Sequence, residues 1–348
     1  MDVNADKLNA LLGKVVNELG AASNAALVIL GDKLGLFRAL ALGAATPAEL
    51  AARTGTFERY VREWLSAQAA SGFVEFDATT GCFSLSPEQA AVFADDDSPV
   101  AMAGGFAMLT AVYHDEPKLA EAFRTGRGMH WGEHCTCLFC GVERFFRSGY
   151  RGHLVAEWLP ALDGVVEKLQ RGARVADVGC GHGASTLLMA DSFPNSEFIG
   201  VDYHAASIAH ANGLVEGRGN VRFEVGRAQD FGGRDYDLVT LFDALHDMGD
   251  PVGATTHIRS VLKGDGTLML VEPAAGDSLA ENLNPVGRVY YAGSTHICVP
   301  TALSQDGGTA LGAQAGPRRI AEVVQSGGFS TFRQAASTPF NMIIEARP

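Results

Sequence analysis

The chain has 348 residues, 47% of them hydrophobic, and a formal charge of −13 from 40 acids against 27 bases. That is enough length for two domains with cores of their own, without disulfide or metal staples. The acidic balance repels a phosphate backbone, so nucleic acid is excluded as the expected partner. The start, Met1–Asp6, has no basic region leading into an apolar run. No stretch reaches the roughly 20 apolar residues of a membrane span, so a cytoplasmic protein with no membrane partner is expected. Six scattered cysteines in such a chain read as free thiols or ligands rather than as a disulfide framework.

Residues 1–45 read as helices, because Leu8, Leu11, Leu12, Val15, Val16 and Leu19 recur at helical spacing and a second apolar stripe runs from Ala26 to Leu42. Neither stripe has an obvious partner within its own segment, which points to two chains interlocking there. Thr46-Pro47-Ala48-Glu49 starts a short helix with a capping pattern and an early proline. Thr56 opens another, through Tyr60, Val61, Trp64 and Leu65. From Gly72 to Ser86 apolar and polar residues alternate about a Thr-Gly turn, as in a hairpin. Helices followed by such a hairpin make a winged helix, a unit that often reads DNA. Here residues 1–100 hold 13 acids against 7 bases, so dimerisation is the better expectation.

From Ala173 onward short apolar runs alternate with helical segments, the mark of a parallel sheet covered on both faces. Strands are expected near 173–179, 197–203, 221–226, 236–243 and 266–272. The final pair, 330–337 and 340–346, is joined too tightly for a crossover and must be antiparallel.

The first of these strands runs into Asp177-Val-Gly-Cys-Gly-His-Gly183. Gly179, Gly181 and Gly183 can take backbone angles closed to other residues and leave the main chain open to a ligand. The helix that follows offers unpaired N–H groups at its positive end. Ligands of open parallel sheets bind beyond the carboxyl ends of the strands. Asp202, followed by Tyr203, ends the second strand, where a carboxylate can accept the hydroxyls of a ribose. Asp230, beside Phe231, follows the third and suits an exocyclic amine. The fourth brings Asp243, His246 and Asp247 to the same edge.

These motifs resemble the class I S-adenosylmethionine-dependent methyltransferases, over the segment from about 170 to the end. The resemblance implies a Rossmann-like α/β sheet of seven strands with an antiparallel final hairpin, and S-adenosylmethionine as cofactor. It implies that Asp177 and the three glycines hold the methionine part, that Asp202 and Tyr203 serve the ribose, and that Asp230 and Phe231 serve the adenine. With an acidic winged helix in front, the chain is similar to the dimeric small-molecule O-methyltransferases. In those the fourth strand is followed by L-H-D-W-x-D; Leu245-His246-Asp247-Met248-Gly249-Asp250 matches all but the tryptophan. That implies His246 as catalytic base, with Asp247 as a possible orienter. The layout also looks like that of a bacterial methyltransferase family of poorly defined substrate. Three parts follow: a winged-helix dimerisation domain over 1–110, a helical linker or lid over 111–169, and a methyltransferase domain over 170–348.

Cys135, Cys137 and Cys140, with His130 and His134, place five soft ligands in eleven residues of the linker. Only Cys137 to Cys140 has the spacing of a zinc pair, so no metal is expected, though the thiols could line the acceptor pocket, capture a metalloid, or simply pack. Arg144, Tyr291 and His296 complete the expected substrate contacts. The expected function is methyl transfer to an oxygen or sulfur of a small molecule. Two alternatives stand beside it: a thiol or metalloid (arsenic or mercury) methyltransferase using Cys135, Cys137 and Cys140, and a winged-helix regulator sensing cofactor or metal.

Overall fold

The computed structural model describes residues 3–348. It packs as two compact units, Met1–Ala111 with Cys140–Ser148, and Val112–Phe139 with Gly149–Pro348. The segment read as a linker is thereby divided between them.

The first unit opens on a helix over Ala5–Lys33, capped by Asn4. Its second half buries Ala25 and Val28, and Gly31 lets Trp64 approach so closely that a Cβ would lie 2.4 Å from the indole ring. The first half has no such partner: Leu8, Leu11, Leu12, Val15, Val16 and Leu19 are all exposed. Thr46 and Glu49 form the expected capping box ahead of the helix Pro47–Thr54. The helix Glu58–Ala70 and the hairpin β1 (Glu75–Asp77) with β2 (Cys82–Ser84) complete the winged helix. Its core centres on Phe37, edge-on to Trp64 at 4.8 Å and stacked on Phe93 at 5.1 Å. Arg59 and Arg62, the basic residues of the would-be reading helix, each pair with an acid one turn away, Glu63 and Glu58.

In the second unit β3 (Arg174–Val178), β4 (Glu197–Asp202), β5 (Val221–Val225), β6 (Tyr236–Phe242), β7 (Leu262–Pro273), β8 (Thr331–Ser337) and β9 (Asn341–Arg347) form one sheet. The order is β5-β4-β3-β6-β7-β9-β8, parallel except where β9 pairs with β7 and β8. All seven expected strands are present, β7 starting four residues earlier than its apolar run because it continues straight out of the preceding helix. Chain order reverses between β3 and β6, which opens a crevice at their carboxyl ends. The central strands are buried on both faces, as Val175, Ala176, Val239, Leu241, Leu268 and Leu270 show. Among the described residues no helix is long and apolar enough to cross a membrane.

Candidate active site

At the carboxyl end of β3 the loop turns through three left-handed glycines, with φ of 75° at Gly179, 53° at Gly181 and 83° at Gly183. A Cβ on Gly183 would lie 2.5 Å from the Phe223 ring, so the helix Ala184–Ser192 can start where it does only with glycine there. Asp177 is buried beneath the loop, and its carboxylate accepts from Ser185 Oγ (2.7 Å), Thr186 Oγ1 (2.6 Å) and Thr240 Oγ1 (2.9 Å). Those three hydroxyls tie β3 to the following helix and to β6. Asp177 thus shapes the loop from below. Burial pushes its pKa up, against the pull of the same hydroxyls.

Asp202, at the end of β4, accepts the Gly181 N–H at 2.9 Å and the His204 N–H at 2.8 Å. Each oxygen keeps a lone pair for a ligand. The Tyr203 hydroxyl beside it is buried without a hydrogen-bond partner, as is Asp243 Oδ2. His130 lies edge-on to Tyr203 at 5.4 Å and Phe139 tilts over His204 at 4.9 Å, so part of the expected lid packs against this end of β4.

Two adenine candidates lie differently from one another. Asp230 is exposed and turned to Arg227, whose Nε is 3.0 Å away. Phe231 is buried in the core against Tyr236 and His257.

The end of β6 carries the densest cluster. Asp243 adopts φ 49°, a left-handed angle uncommon outside glycine and frequent at functional sites. Its N–H bonds Val271 O at 2.7 Å and its Oδ1 accepts from Asn341 at 3.0 Å. The turn Leu245–Asp247 then places His246 with Nδ1 2.6 Å from Glu272 Oε2 and Nε2 3.2 Å from Asp247 Oδ1. Glu272 ends its strand's apolar run and is 1% exposed; its other oxygen accepts the Leu245 N–H at 3.1 Å. Burial alone would push the His246 pKa down, but the charges of Asp247 and Glu272, with Cys298, outweigh it and raise it well above the usual value. Burial likewise raises Asp243 and Asp247. The Cys298 thiol comes from the π-helical turn Ser294–Cys298, and burial pushes it up to about 12.

Glu272 and Cys298 were absent from the expected site. A single acid at the carboxyl end of an apolar strand is a usable signal for Glu272. A lone cysteine in a helical insertion is none for Cys298.

Three expected substrate contacts need correction. Arg144 holds Asp32 at 2.9 Å and also Asp96, within the first unit, so its guanidinium is spent on an ion-pair clamp that raises its own pKa. Cys135 and Cys137 are joined as a disulfide, not free thiols. Asp115 accepts the Cys135 N–H at 2.8 Å and pairs with Lys118. Cys140 is free and exposed. Tyr291 and His296 lie half-buried on the insertion that carries Cys298.

The fold and sheet topology of the second unit are similar to those of S-adenosylmethionine-dependent methyltransferases, and a winged-helix segment comes before it in the chain. Residues 169–316 match the family described as "Methyltransferase domain", and residues 22–94 match the Rv2258c-like winged HTH domain. The chain is 32% identical over 111 residues to trans-aconitate 2-methyltransferase of Deinococcus radiodurans, covering 32% of this chain and 42% of that one. It therefore spans less than half the length of the curated relatives it matches. Over the whole chain its fold is similar to human N-acetylserotonin methyltransferase in complex with S-adenosylmethionine, with TM-score 0.70 at 19% identity and coverage of 100% of this chain and 99% of the other. An O-methyltransferase family protein from Burkholderia thailandensis gives 0.67 at 20% identity, over 97% of both chains.

Proposed function

We propose that the protein transfers a methyl group from S-adenosylmethionine to an oxygen or sulfur of a small molecule, with His246 taking the acceptor's proton. The observation that carries this reading is the buried Glu272–His246 pair, 2.6 Å apart, at the carboxyl end of the strand next to the glycine loop.

The residues fit the cofactor. The loop of Gly179, Gly181 and Gly183 leaves its backbone bare, Asp202 keeps acceptor capacity, and Tyr203 and Asp243 hold buried polar atoms in want of a partner. The cofactor supplies a methyl on a sulfonium, which leaves as a neutral thioether and needs no acid. Glu272 accepts from Nδ1 of His246, which fixes the ring and turns Nε2 toward Asp247 and the open end of the strand. A bound sulfonium would, as a nearby positive charge, lower the affinity of His246 for its extra proton, and Nε2 of the neutral ring can accept one from a phenol or thiol. Burial excludes water, and alignment supplies the rest of the rate.

The metalloid reading has less support. Cys135 and Cys137 lie on the segment packed against Tyr203 and His204 and are already joined, Cys140 belongs to the first unit, and none of the three is in the cluster around His246.

The exposed apolar stripe from Leu8 to Leu19 favours a homodimer paired through the first helix. Light scattering should give twice the chain mass, and Leu11→Glu with Val15→Glu should halve it.

The function is tested by incubating the protein with methyl-labelled S-adenosylmethionine and a panel of phenols, thiols and sulfide. Labelled product is expected from at least one oxygen or sulfur acceptor, and should form about 10²–10⁴-fold more slowly from a phenol with His246→Asn. Calorimetry showing no uptake of S-adenosylmethionine would overturn the reading.

A further inference from the structure

His246, Asp247 and Cys298 present one nitrogen, one carboxylate oxygen and one sulfur within 4.8 Å of one another. This set is separate from the cysteines of the linker, and its chemistry is that of a borderline-soft cation. The 3.2 Å between His246 Nε2 and Asp247 Oδ1 is close to the edge of a tetrahedron about zinc, where two donors at 2.0–2.1 Å lie about 3.3 Å apart.

Further geometric features point to a bound cation. Asp247 Oδ1 is buried and faces His246 Nε2 at 3.2 Å without a well-directed hydrogen bond between them. Glu272 accepts from the far nitrogen of His246, and carboxylate–histidine pairs of this kind hold metal-binding rings in place and make the free nitrogen more basic. The π-helical turn that delivers Cys298 is a geometry found mostly where function requires it. Gln305 fixes the Asp247 carbonyl at 2.8 Å, so the carboxylate is held by its backbone as well.

We propose that His246 Nε2, Asp247 Oδ1 and Cys298 Sγ form a binding site for a thiophilic divalent cation of the zinc class, with a fourth position open. On binding, the Cys298 thiol gives its proton to solvent and the sulfur takes the cation in its place. The consequence for activity rests on the role given to His246 above: a cation on Nε2 occupies the atom assigned to the acceptor's proton, so the loaded protein is switched off for methyl transfer and keeps its cofactor site.

The test is titration of chelator-treated protein with cobalt(II), whose thiolate complexes absorb in the near ultraviolet. One cobalt per chain is expected, with a thiolate-to-metal band and displacement by zinc. Cys298→Ser should abolish the band, Asp247→Asn should weaken binding at least tenfold, and Glu272→Gln should weaken it by about 10–100-fold. Cys135→Ser with Cys137→Ser should leave the band intact. Absence of the band in the wild-type protein, or an affinity unchanged by Cys298→Ser in a variant that melts like the wild type, would overturn the site. Zinc should also suppress methyl transfer while calorimetry still records S-adenosylmethionine binding, and loaded protein that turns over at the metal-free rate would remove the ion from Nε2. Since the cobalt spectrum needs no acceptor, failure to find one leaves this result standing on its own.

Discussion

His246 donates from Nδ1 to Glu272 Oε2 across 2.6 Å, and both side chains are almost wholly buried. The pair joins a turn after β6 to the end of β7, so the sheet itself sets the direction of Nε2. Removing the base should therefore lower kcat without loss of cofactor affinity, which rises if anything once the imidazolium is gone. His246→Asn is expected to slow transfer to a phenol by about 10²–10⁴-fold. Glu272→Gln should fall between that variant and the wild type, because the amide can still receive the ring's N–H but cannot balance an imidazolium. Single-turnover rates with labelled cofactor, set beside calorimetric affinities, would check both.

The raised pKa of His246 fixes the sign of the pH dependence. Transfer needs the neutral ring, so the rate should rise with pH through an apparent pKa above the ordinary histidine value of about 6.5, and this limb should disappear in His246→Asn. Stability runs the other way. A group that binds its proton more tightly when folded contributes stability that is full below its unfolded pKa and is lost as pH rises through the folded one. Melting temperatures should accordingly drift down on the alkaline side, and His246→Asn should flatten that drift. Cofactor binding near neutral pH should release a proton, seen as a binding enthalpy that changes with the ionisation heat of the buffer.

Much of this was legible in the sequence, and the reason is periodicity. Seven strands follow from apolar runs punctuated by turn residues, whereas their order is seen only in the structure; the glycine loop stands out by its spacing, and the structure adds that a Cβ on Gly183 would meet Phe223. His246 and Asp202 lie where the sequence puts them, at the ends of their strands, because strand ends fall at predictable places. What failed was any judgement about which polar groups already have partners. Arg144 looked free because Asp32 and Asp96 lie 112 and 48 residues away along the chain. Asp177 reads as a ligand contact until Ser185, Thr186 and Thr240 are seen to converge on it. Cys298 joins His246 only through a π-helical turn, which has no sequence period to betray it.

Asp202 bears on cofactor binding directly. Its carboxylate pins Gly181 and keeps acceptor capacity where a ribose would sit, so Asp202→Ala removes both the loop's anchor and a charged acceptor. Hydrogen bonds to charged groups are worth about 1.5–3 kcal/mol each, hence a loss of roughly 10–100-fold in affinity for S-adenosylmethionine is expected. Asp230→Ala, at the exposed Arg227 pair, should cost far less. Equal losses in the two variants would mean that the adenine end carries the binding.

Asp115 governs the order of the segment that packs against Tyr203. Burial would raise its pKa, but the Cys135 N–H, His114 and Lys118 hold it down to about 2. Because the folded value lies below the unfolded one of about 3.9, its contribution is present above roughly pH 4 and is lost as pH falls toward about 2. Asp115→Asn keeps the size of the side chain and removes its charge, so at neutral pH it should lower the melting temperature and speed hydrogen exchange at the Cys135 amide. The gap between variant and wild type should close as the carboxylate of the wild type takes up its proton. A gap that persists once Asp115 is protonated would mean that the substituted amide disturbs the turn sterically, and that the charge was not what held it.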